Sequence, residues 1–243
     1  MKLSGKTALV TGGATGIGLG LALALAEEGC RVAIAGRRED KLREAAAGFR
    51  GTPALIYHTV DVGDLKSVEE LVAWATHELG QVDIVVNSSG VNVLRRTLAE
   101  LSPADWELMM RINATGAFNC LYAVLPQMRA RRDGLIVNIS SIAGKRSSLL
   151  GGIGYTASKF AMTATGITAA REEAENGIRI TNIYPGEVDT PILEHRPKPV
   201  SAEHRARILK PEDVAAAVLM VACLPARAHV PELVIKPTSQ DYF

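Results

Sequence analysis

Aromatic residues and cysteines are scarce in this chain, and neither sign of charge dominates. Only 5% of the 243 residues are aromatic, and the three cysteines, Cys30, Cys120 and Cys223, are far apart. Without a C-x-x-C pair or a cluster of histidines, they indicate neither a disulfide framework nor a metal site, so we expect buried apolar thiols. The 27 basic and 26 acidic residues give a formal net charge of +1. This balance argues against a nucleic-acid binder, which needs a basic field.

Long apolar runs are also missing. The run from Leu19 to Ala26 ends at an acidic pair, and it is much shorter than the roughly 20 residues of a membrane span. The first six residues are too polar for a signal peptide. We therefore expect a cytoplasmic protein with no membrane association.

Short β-branched runs alternate with longer helical stretches along the chain. Continuously apolar strands separated by helices are typical of a parallel sheet that is covered on both faces. The predicted strands are 7–10, 32–35, 54–60, 82–86, 135–139, 178–183 and 233–235. The predicted helices are 19–28, 39–47, 65–79, 103–132, 157–175 and 214–223. The pattern predicts one doubly wound α/β domain of the Rossmann type over 1–243, with about seven strands.

A glycine-rich segment, TGGATGIG, runs from Thr11 to Gly18 between the first strand and the first helix. Glycines at Gly12 and Gly16 let the backbone approach a pyrophosphate, which the N-terminus of the helix then binds. An ordinary glycine turn is the alternative. The strand–turn–helix context favours a dinucleotide site.

Gly36 and Arg37 follow the second strand, where dinucleotide folds often place an acidic residue on the ribose 2′-hydroxyl. Here that acid is missing, and Arg37 offers a fork of donors that suits a 2′-phosphate. We therefore expect NADP(H) rather than NAD(H). The alternative is that Arg37 and Arg38 only pair with Glu39 and Asp40.

Four polar residues form a candidate reactive group. Tyr155 and Lys159 are four residues apart at the start of a helix and share a face, so we expect Lys159 to lower the pKa of the Tyr155 phenol. Ser141 follows a strand, at the sheet edge where α/β sites form. Asn113 lies within the long helix 103–132 and predicts a local kink. Taken singly, these residues are more typical of a surface pair, a turn and an exposed helix position.

These motifs together resemble the short-chain dehydrogenase/reductase family over nearly the whole chain. The resemblance implies a catalytic group of Asn113, Ser141, Tyr155 and Lys159. In this group Tyr155 donates a proton to the developing alkoxide, and Ser141 hydrogen-bonds to the same oxygen. Lys159 binds the nicotinamide ribose, and Asn113 holds a water that links Lys159 to solvent. The implied cofactor contacts are Gly12, Thr15, Gly16, Ile17, Gly18, Arg37, Asp61, Val62, Asn87, Ser89, Gly90, Tyr155, Lys159, Pro185, Gly186, Val188 and Thr190.

The sequence departs from the family pattern at two places near this group. The usual Asn-Asn-Ala-Gly after the fourth strand reads Asn87-Ser88-Ser89-Gly90, which puts the cofactor geometry there in doubt. The separation between Ser141 and Tyr155 is one residue longer than is common, and we expect the extra length, within 145–154, at the mouth of the site.

The function that these patterns predict is an NADP(H)-dependent carbonyl reductase or alcohol dehydrogenase. An idle NADP(H)-binding regulatory protein is the main alternative, and a sugar-nucleotide epimerase is another. The first would be expected to lack one of the four catalytic residues, and all four are present. The second usually has a longer chain with a separate substrate domain.

Assembly and substrate are predicted from the remaining segments. The helices 104–132 and 157–175 carry apolar residues on more than one face, which predicts a homodimer or a homotetramer.

Substrate selection is assigned to 145–154 and to 192–210, a proline-broken segment that predicts a lid. Because the first segment is apolar and Glu187 lies nearby, we expect a largely apolar ketone, aldehyde or secondary alcohol. An acidic substrate is the alternative, because Lys145, Arg146 and Arg196 could attract it, although basic loop residues are more often only solvated.

Overall fold

A parallel sheet of seven strands organises the protein, seen here in a computed structural model that describes residues 1–241. The strand order is β3-β2-β1-β4-β5-β6-β7, and every pairing is parallel. The strands are β1 (Thr7–Thr11), β2 (Arg31–Gly36), β3 (Ile56–Thr59), β4 (Ile84–Asn87), β5 (Gly134–Ile139), β6 (Ile178–Pro185) and β7 (Glu232–Ile235). The predicted doubly wound α/β architecture is confirmed.

Helices cover both faces of the sheet. They are α1 (Gly16–Glu27), α2 (Glu39–Gly48), α3 (Leu65–Leu79), α4 (Pro103–Met109), α5 (Gly116–Arg131), α6 (Ile153–Glu172), α7 (Ala202–Arg207) and α8 (Pro211–Ala222). Alternate residues of β1 point to opposite faces. Ala8 and Val10 therefore pack in the core beneath α1 and α8, whereas Leu9 packs in the core beneath α3 and α5.

The long predicted helix is one helical stretch with a defect in its middle. A π-helical segment, Met110–Thr115, joins α4 to α5 and contains Asn113, so the helix is irregular at the residue where a kink was predicted. The stretch begins where the Ser102 side chain accepts a hydrogen bond from the Asp105 amide, 3.1 Å away. It ends at Arg131, because Arg132 adopts a left-handed conformation with φ of 55°.

Several predicted boundaries differ from the structure by a few residues. The third strand spans only Ile56–Thr59 of the predicted 54–60, because it is a half-buried edge strand with one neighbour. Helix α6 begins at Ile153, earlier than predicted, since Gly152 at φ 79° marks its start. The segment 192–210 contains a helical turn, Pro191–His195, and α7.

Within residues 1–241, no helix is long and apolar enough to cross a membrane. The three cysteines are free thiols; Cys30 and Cys120 are buried, and burial raises the pKa of each to about 12.

Candidate active site

A cleft of about 790 Å³ opens at the carboxyl edge of the sheet. In the strand order, β1 has β2 on one side and β4 on the other, so the direction of the chain across the sheet reverses at β1. Such a switch point is where α/β sheets bind ligands. Most of the predicted site residues line this cleft: Gly12, Thr15, Gly16, Ile17, Gly18, Arg37, Val62, Ser89, Gly90, Ser141, Tyr155, Lys159, Pro185, Gly186, Val188 and Thr190.

The glycine-rich loop packs closely against its surroundings. Gly12 adopts φ of 66°, and a Cβ at this residue would lie 2.8 Å from the carbonyl oxygen of Ser88. A Cβ at Gly18 would clash with the carbonyl oxygen of Gly12. Both positions therefore require glycine, the first for its conformation and the second for the close contact between helix and loop.

The N-terminus of α1 opens into the cleft without a side-chain cap. Thr15 occupies the N-cap position, but its side chain accepts no hydrogen bond from the helix, and the first turn holds no acidic residue. The free N–H groups of this first turn and the helix dipole therefore favour an anion in the cleft.

Arg37 and Arg38 lie at the end of the cleft that adjoins β2. Among the described residues, neither arginine forms an ion pair with Glu39 or Asp40, the pairing considered as the alternative. Arg111 is bound to Asp61 and lowers the pKa of its carboxyl, and the charge of Arg37 helps to lower it. Two unpaired guanidinium groups at this end suit a phosphate group.

Two predicted cofactor residues, Asp61 and Asn87, do not line the cleft. The Asp61 carboxylate accepts a hydrogen bond from Arg111 at 2.7 Å, and this bond holds the pKa of Asp61 below its usual value. The Asn87 side chain donates to Asn138 Oδ1 at 2.9 Å, and Asn138 donates to Asn182 Oδ1 at 3.1 Å. These three asparagines form a buried ladder across β4, β5 and β6.

Tyr155 lies at the start of α6 and faces Ser141, which follows β5. Burial raises the pKa of the Tyr155 phenol, and a hydrogen bond with Ser141 and the positive charge of Arg96 oppose this rise only in part. The phenol therefore keeps its proton at neutral pH. Ser141 Oγ also accepts the amide N–H of Ala143 at 3.1 Å, a bond that fixes its side chain at the turn.

Lys159 lies on the same face of α6, one turn beyond Tyr155. Its ammonium donates to the carbonyl oxygen of Ile139 at 2.8 Å and lies 5.8 Å from the centroid of the Tyr155 ring. Burial lowers the pKa of Lys159 to about 8. Desolvation dominates the phenol, so the net pKa of Tyr155 is raised and not lowered; the predicted contribution of Lys159 to that pKa remains a prediction.

Asn113 lies behind the cleft rather than on its wall. Its Oδ1 accepts the Val91 amide at 2.8 Å, and its Nδ2 donates to Ser158 Oγ at 2.9 Å. A Cβ at Gly90 would be 3.6 Å from both Asn113 Oδ1 and Lys159 Nζ. Asn113 therefore fastens the segment after β4 to α6 close to the lysine, and the π-helical segment puts it there.

Sequence reasoning missed Arg96 and the ion pairs of Glu187. Arg96 lines the cleft and is buried. The Glu187 carboxylate is 2.9 Å from Arg196 and 2.7 Å from His204, and both contacts favour its charged form. The pKa of Glu187 is lowered despite the opposing effect of burial. No sequence pattern marks Arg96, which lies in the loop between β4 and α4.

The cleft fits a phosphorylated dinucleotide. An anion-binding helix terminus lies in the middle of the cleft, the two free arginines lie at one end, and the Tyr155 phenol lies at the other. No described group of histidine, cysteine and acidic residues is arranged to hold a metal ion.

Comparisons with known proteins agree with this geometry. The profile of the short chain dehydrogenase family matches residues 6–200. An uncharacterized oxidoreductase of Staphylococcus saprophyticus is 35% identical, over 98% of this chain and 99% of its own. A solved alcohol dehydrogenase from the archaeon Thermococcus sibiricus, complexed with 5-hydroxy-NADP, is 31% identical with a TM-score of 0.85, covering 97% of this chain and 98% of that one. The closed form of a serine dehydrogenase complexed with NADP+ is 30% identical with a TM-score of 0.88, and the match covers 97% of this chain and 96% of that one.

Proposed function

The chain belongs to the short chain dehydrogenase family of oxidoreductases, and from this premise we propose that it interconverts a carbonyl and an alcohol group with NADP(H). The observation that carries the proposal is the shared cleft. Tyr155, Ser141 and Lys159 line the same cleft as the uncapped N-terminus of α1 and the free Arg37. Solved relatives that are complexed with NADP compounds support the choice of cofactor.

NADP(H) would be held by groups along the length of the cleft. The N-terminus of α1 binds the pyrophosphate, and Arg37 binds the 2′-phosphate at the far end. Gly90 adjoins Lys159, Thr190 adjoins Gly16, and Val188 also lines the cleft. When bound there, the cofactor supplies the hydride that is exchanged with the substrate carbon.

Tyr155 and Ser141 handle the substrate oxygen. In the reducing direction, the phenol of Tyr155 donates its proton to the oxygen as negative charge develops on it. Ser141 donates a hydrogen bond to the same oxygen and stabilises that charge. Because burial raises the pKa of Tyr155, the acid form required for reduction is the form present at neutral pH.

Lys159 and Asn113 support the proton donor. The buried ammonium of Lys159 adds positive charge near the phenol, and it stabilises the phenolate that remains after proton transfer. Asn113, close to Lys159 across Gly90, is proposed to hold a water that links Lys159 to solvent, the path by which the proton is replaced. The direct bonds from Asn113 to Val91 and Ser158 add a positioning role.

The finer properties of the enzyme follow the same premise. Phe118, Tyr122 and Phe160 on α5 and α6 are 49%, 54% and 42% exposed, and these large apolar surfaces support the predicted homodimer or homotetramer. The segment 192–210 acts as the substrate lid within a single catalytic domain. The protein works in the cytoplasm, with small molecules as its substrates.

The proposal is tested with purified protein by two measurements. NADPH binding is followed by the change in cofactor fluorescence, and turnover is followed by loss of absorbance at 340 nm with a panel of ketones and aldehydes. Binding together with turnover is expected. Tight NADPH binding without turnover on any carbonyl or alcohol would instead favour the regulatory alternative, and failure to bind NADPH would contradict both.

A further inference from the structure

Arg96 is a buried arginine whose charge has no carboxylate partner. It is 6% exposed, and its guanidinium donates to the carbonyl oxygens of Val93 at 2.9 Å, of Leu150 at 2.8 Å and of His195. Among residues 1–241 it takes part in no ion pair. Buried charges are normally paired because desolvation is costly. A lone buried guanidinium on the wall of a cleft therefore indicates a missing anion.

The position of Arg96 relative to the reactive tyrosine is set by two glycines. A Cβ at Gly151 would be 3.2 Å from Cδ1 of Tyr155, and a Cβ at Gly152 would be 2.6 Å from Cβ of Arg96. Arg96 and Tyr155 therefore flank the same two-residue turn. Burial raises the pKa of Tyr155, and the positive charge of Arg96 opposes that rise, after the larger opposing effect of the Ser141 hydrogen bond.

Two acidic residues line the cleft, Glu187 and the exposed Glu194, and among the described residues neither forms an ion pair with Arg96. Glu187 is bound to Arg196 and His204, so its charge is already neutralised. Burial lowers the pKa of Arg96, and the positive charge of the nearby Arg196 lowers it further. Because Arg196 is already paired with Glu187, the positive charge near Tyr155 that lacks an anion is that of Arg96.

We propose that the substrate carries a carboxylate, and that Arg96 binds it and sets the specificity of the enzyme. This inference rests on the proposed carbonyl chemistry. Each terminal nitrogen of Arg96 retains a second N–H after its bond to a carbonyl oxygen. A carboxylate is the anion whose oxygens suit N–H donors of a guanidinium group. The substrate class is therefore a small oxo acid or hydroxy acid, in place of the largely apolar ketone expected from the sequence.

The test compares oxo acids with their own primary amides. Pyruvate, acetoacetate and levulinate place the ketone at increasing distance from the carboxylate, and each amide keeps the ketone while removing the charge. The kcat/KM of the best acid is divided by that of its amide, in the unmodified enzyme, in Arg96→Gln and in Arg96→Lys. NADPH affinity and melting temperature are measured for each variant as controls for folding.

We expect the unmodified enzyme to prefer the acid by roughly 30-fold or more, the scale for one buried charge pair. Arg96→Gln should bring the ratio close to one, and Arg96→Lys should retain part of the preference because it keeps the charge. A ratio near or below one in the unmodified enzyme would overturn the inference. An unchanged ratio in Arg96→Gln, with both rates lowered equally, would also overturn it and leave Arg96 with the structural task of tying loops together.

Calorimetric binding separates failure of this inference from failure of the proposed function. Levulinate and levulinamide are titrated into the complex of the unmodified enzyme with NADP+. If no carbonyl in the panel is reduced but levulinate binds and levulinamide does not, the carboxylate site is supported and the proposed reaction is contradicted. If levulinate does not bind, pyruvate and acetoacetate are titrated against their amides in the same way, and the carboxylate site is ruled out when no acid binds more tightly than its amide. The same titration judges the inference if Arg96→Gln does not fold.

Discussion

The ammonium of Lys159 lies 5.8 Å from the centroid of the Tyr155 ring and donates its hydrogen bond to the carbonyl of Ile139. Two residues one helical turn apart thus have opposite responses to burial. Desolvation raises the pKa of the tyrosine and lowers the pKa of the lysine to about 8. At neutral pH the phenol is protonated and most of the lysine is charged, the combination that suits proton donation to a carbonyl oxygen.

The pH dependence of carbonyl reduction should reflect Lys159. Its protonated form stabilises the phenolate that proton transfer leaves behind, so kcat should be highest below pH 8 and fall as pH rises through about 8. Steady-state rates between pH 6 and 10 measure this. Lys159→Arg, whose charge persists to high pH, should show no break near 8 in whatever activity it retains. A rate in the unmodified enzyme that stays flat or rises across the range would count against this role.

Cofactor choice should reverse on placing a carboxylate beside Arg37. A Cβ at Gly36 would be 3.9 Å from Leu42, an ordinary contact, so Gly36→Asp introduces charge without steric strain. Repulsion of the 2′-phosphate should lower kcat/KM for NADPH relative to NADH by roughly 10-fold or more. Gly36→Asn, of equal size and without charge, is the matched control and should keep the NADPH preference. Equal efficiency with both cofactors in the unmodified enzyme would contradict the assignment of Arg37.

The glycine-rich loop should not tolerate a methyl group at Gly18. The added Cβ would clash with the Gly12 carbonyl, and the resulting shift of α1 should weaken NADPH binding by roughly 10-fold or more. Gly48→Ala is the control, because a Cβ at Gly48 meets nothing within 4 Å. That variant should bind NADPH normally and be stabilised by up to about 1 kcal/mol. Normal NADPH affinity in Gly18→Ala, measured by fluorescence titration, would show that the loop does not hold the cofactor as proposed.

The exposed aromatic residues on α5 should be covered in an oligomer. Light scattering at micromolar concentration is expected to give two or four times the 25.9 kDa mass of the chain. Phe118→Asp should shift the mass toward the monomer, since it puts a charge into an apolar contact. Leu98→Asp changes a more exposed loop residue, 79% accessible, and should leave the mass unaltered. A monomeric mass for the unmodified protein would refute the predicted assembly.

The fold was predictable because its signals are local. Apolar strands, glycine turns and helix starts each occupy a few consecutive residues, and the alternation of strand with helix permits few topologies. The irregularity at Asn113 was predictable for the same reason. Only the ends of elements moved, as at β3 and α6, where tertiary contacts decide how far a strand or helix extends.

The site was predictable where a motif marked it, and its charge balance was not. Gly12, Tyr155 and Lys159 stand in recognisable patterns, and the cleft brings them together, although their chemical roles remain predictions. Arg96 stands in no pattern, and its importance depends on burial and on the lack of an ion pair with either acidic residue of the cleft. The pairing of Glu187 with Arg196 likewise joins segments whose contact only the folded chain reveals. These contacts set the pKa values and the charge that a substrate meets.

The most direct test of the central claim is the rate of NADPH oxidation with the best carbonyl substrate, compared between the unmodified enzyme and Tyr155→Phe. This substitution keeps the ring and removes the proton that the mechanism requires. The account predicts a fall in kcat of roughly 100-fold or more, the scale of lost acid catalysis, with NADPH affinity and melting temperature nearly unchanged. A Tyr155→Phe enzyme that turns over at close to the unmodified rate would contradict the account, because the proton would then come from another group.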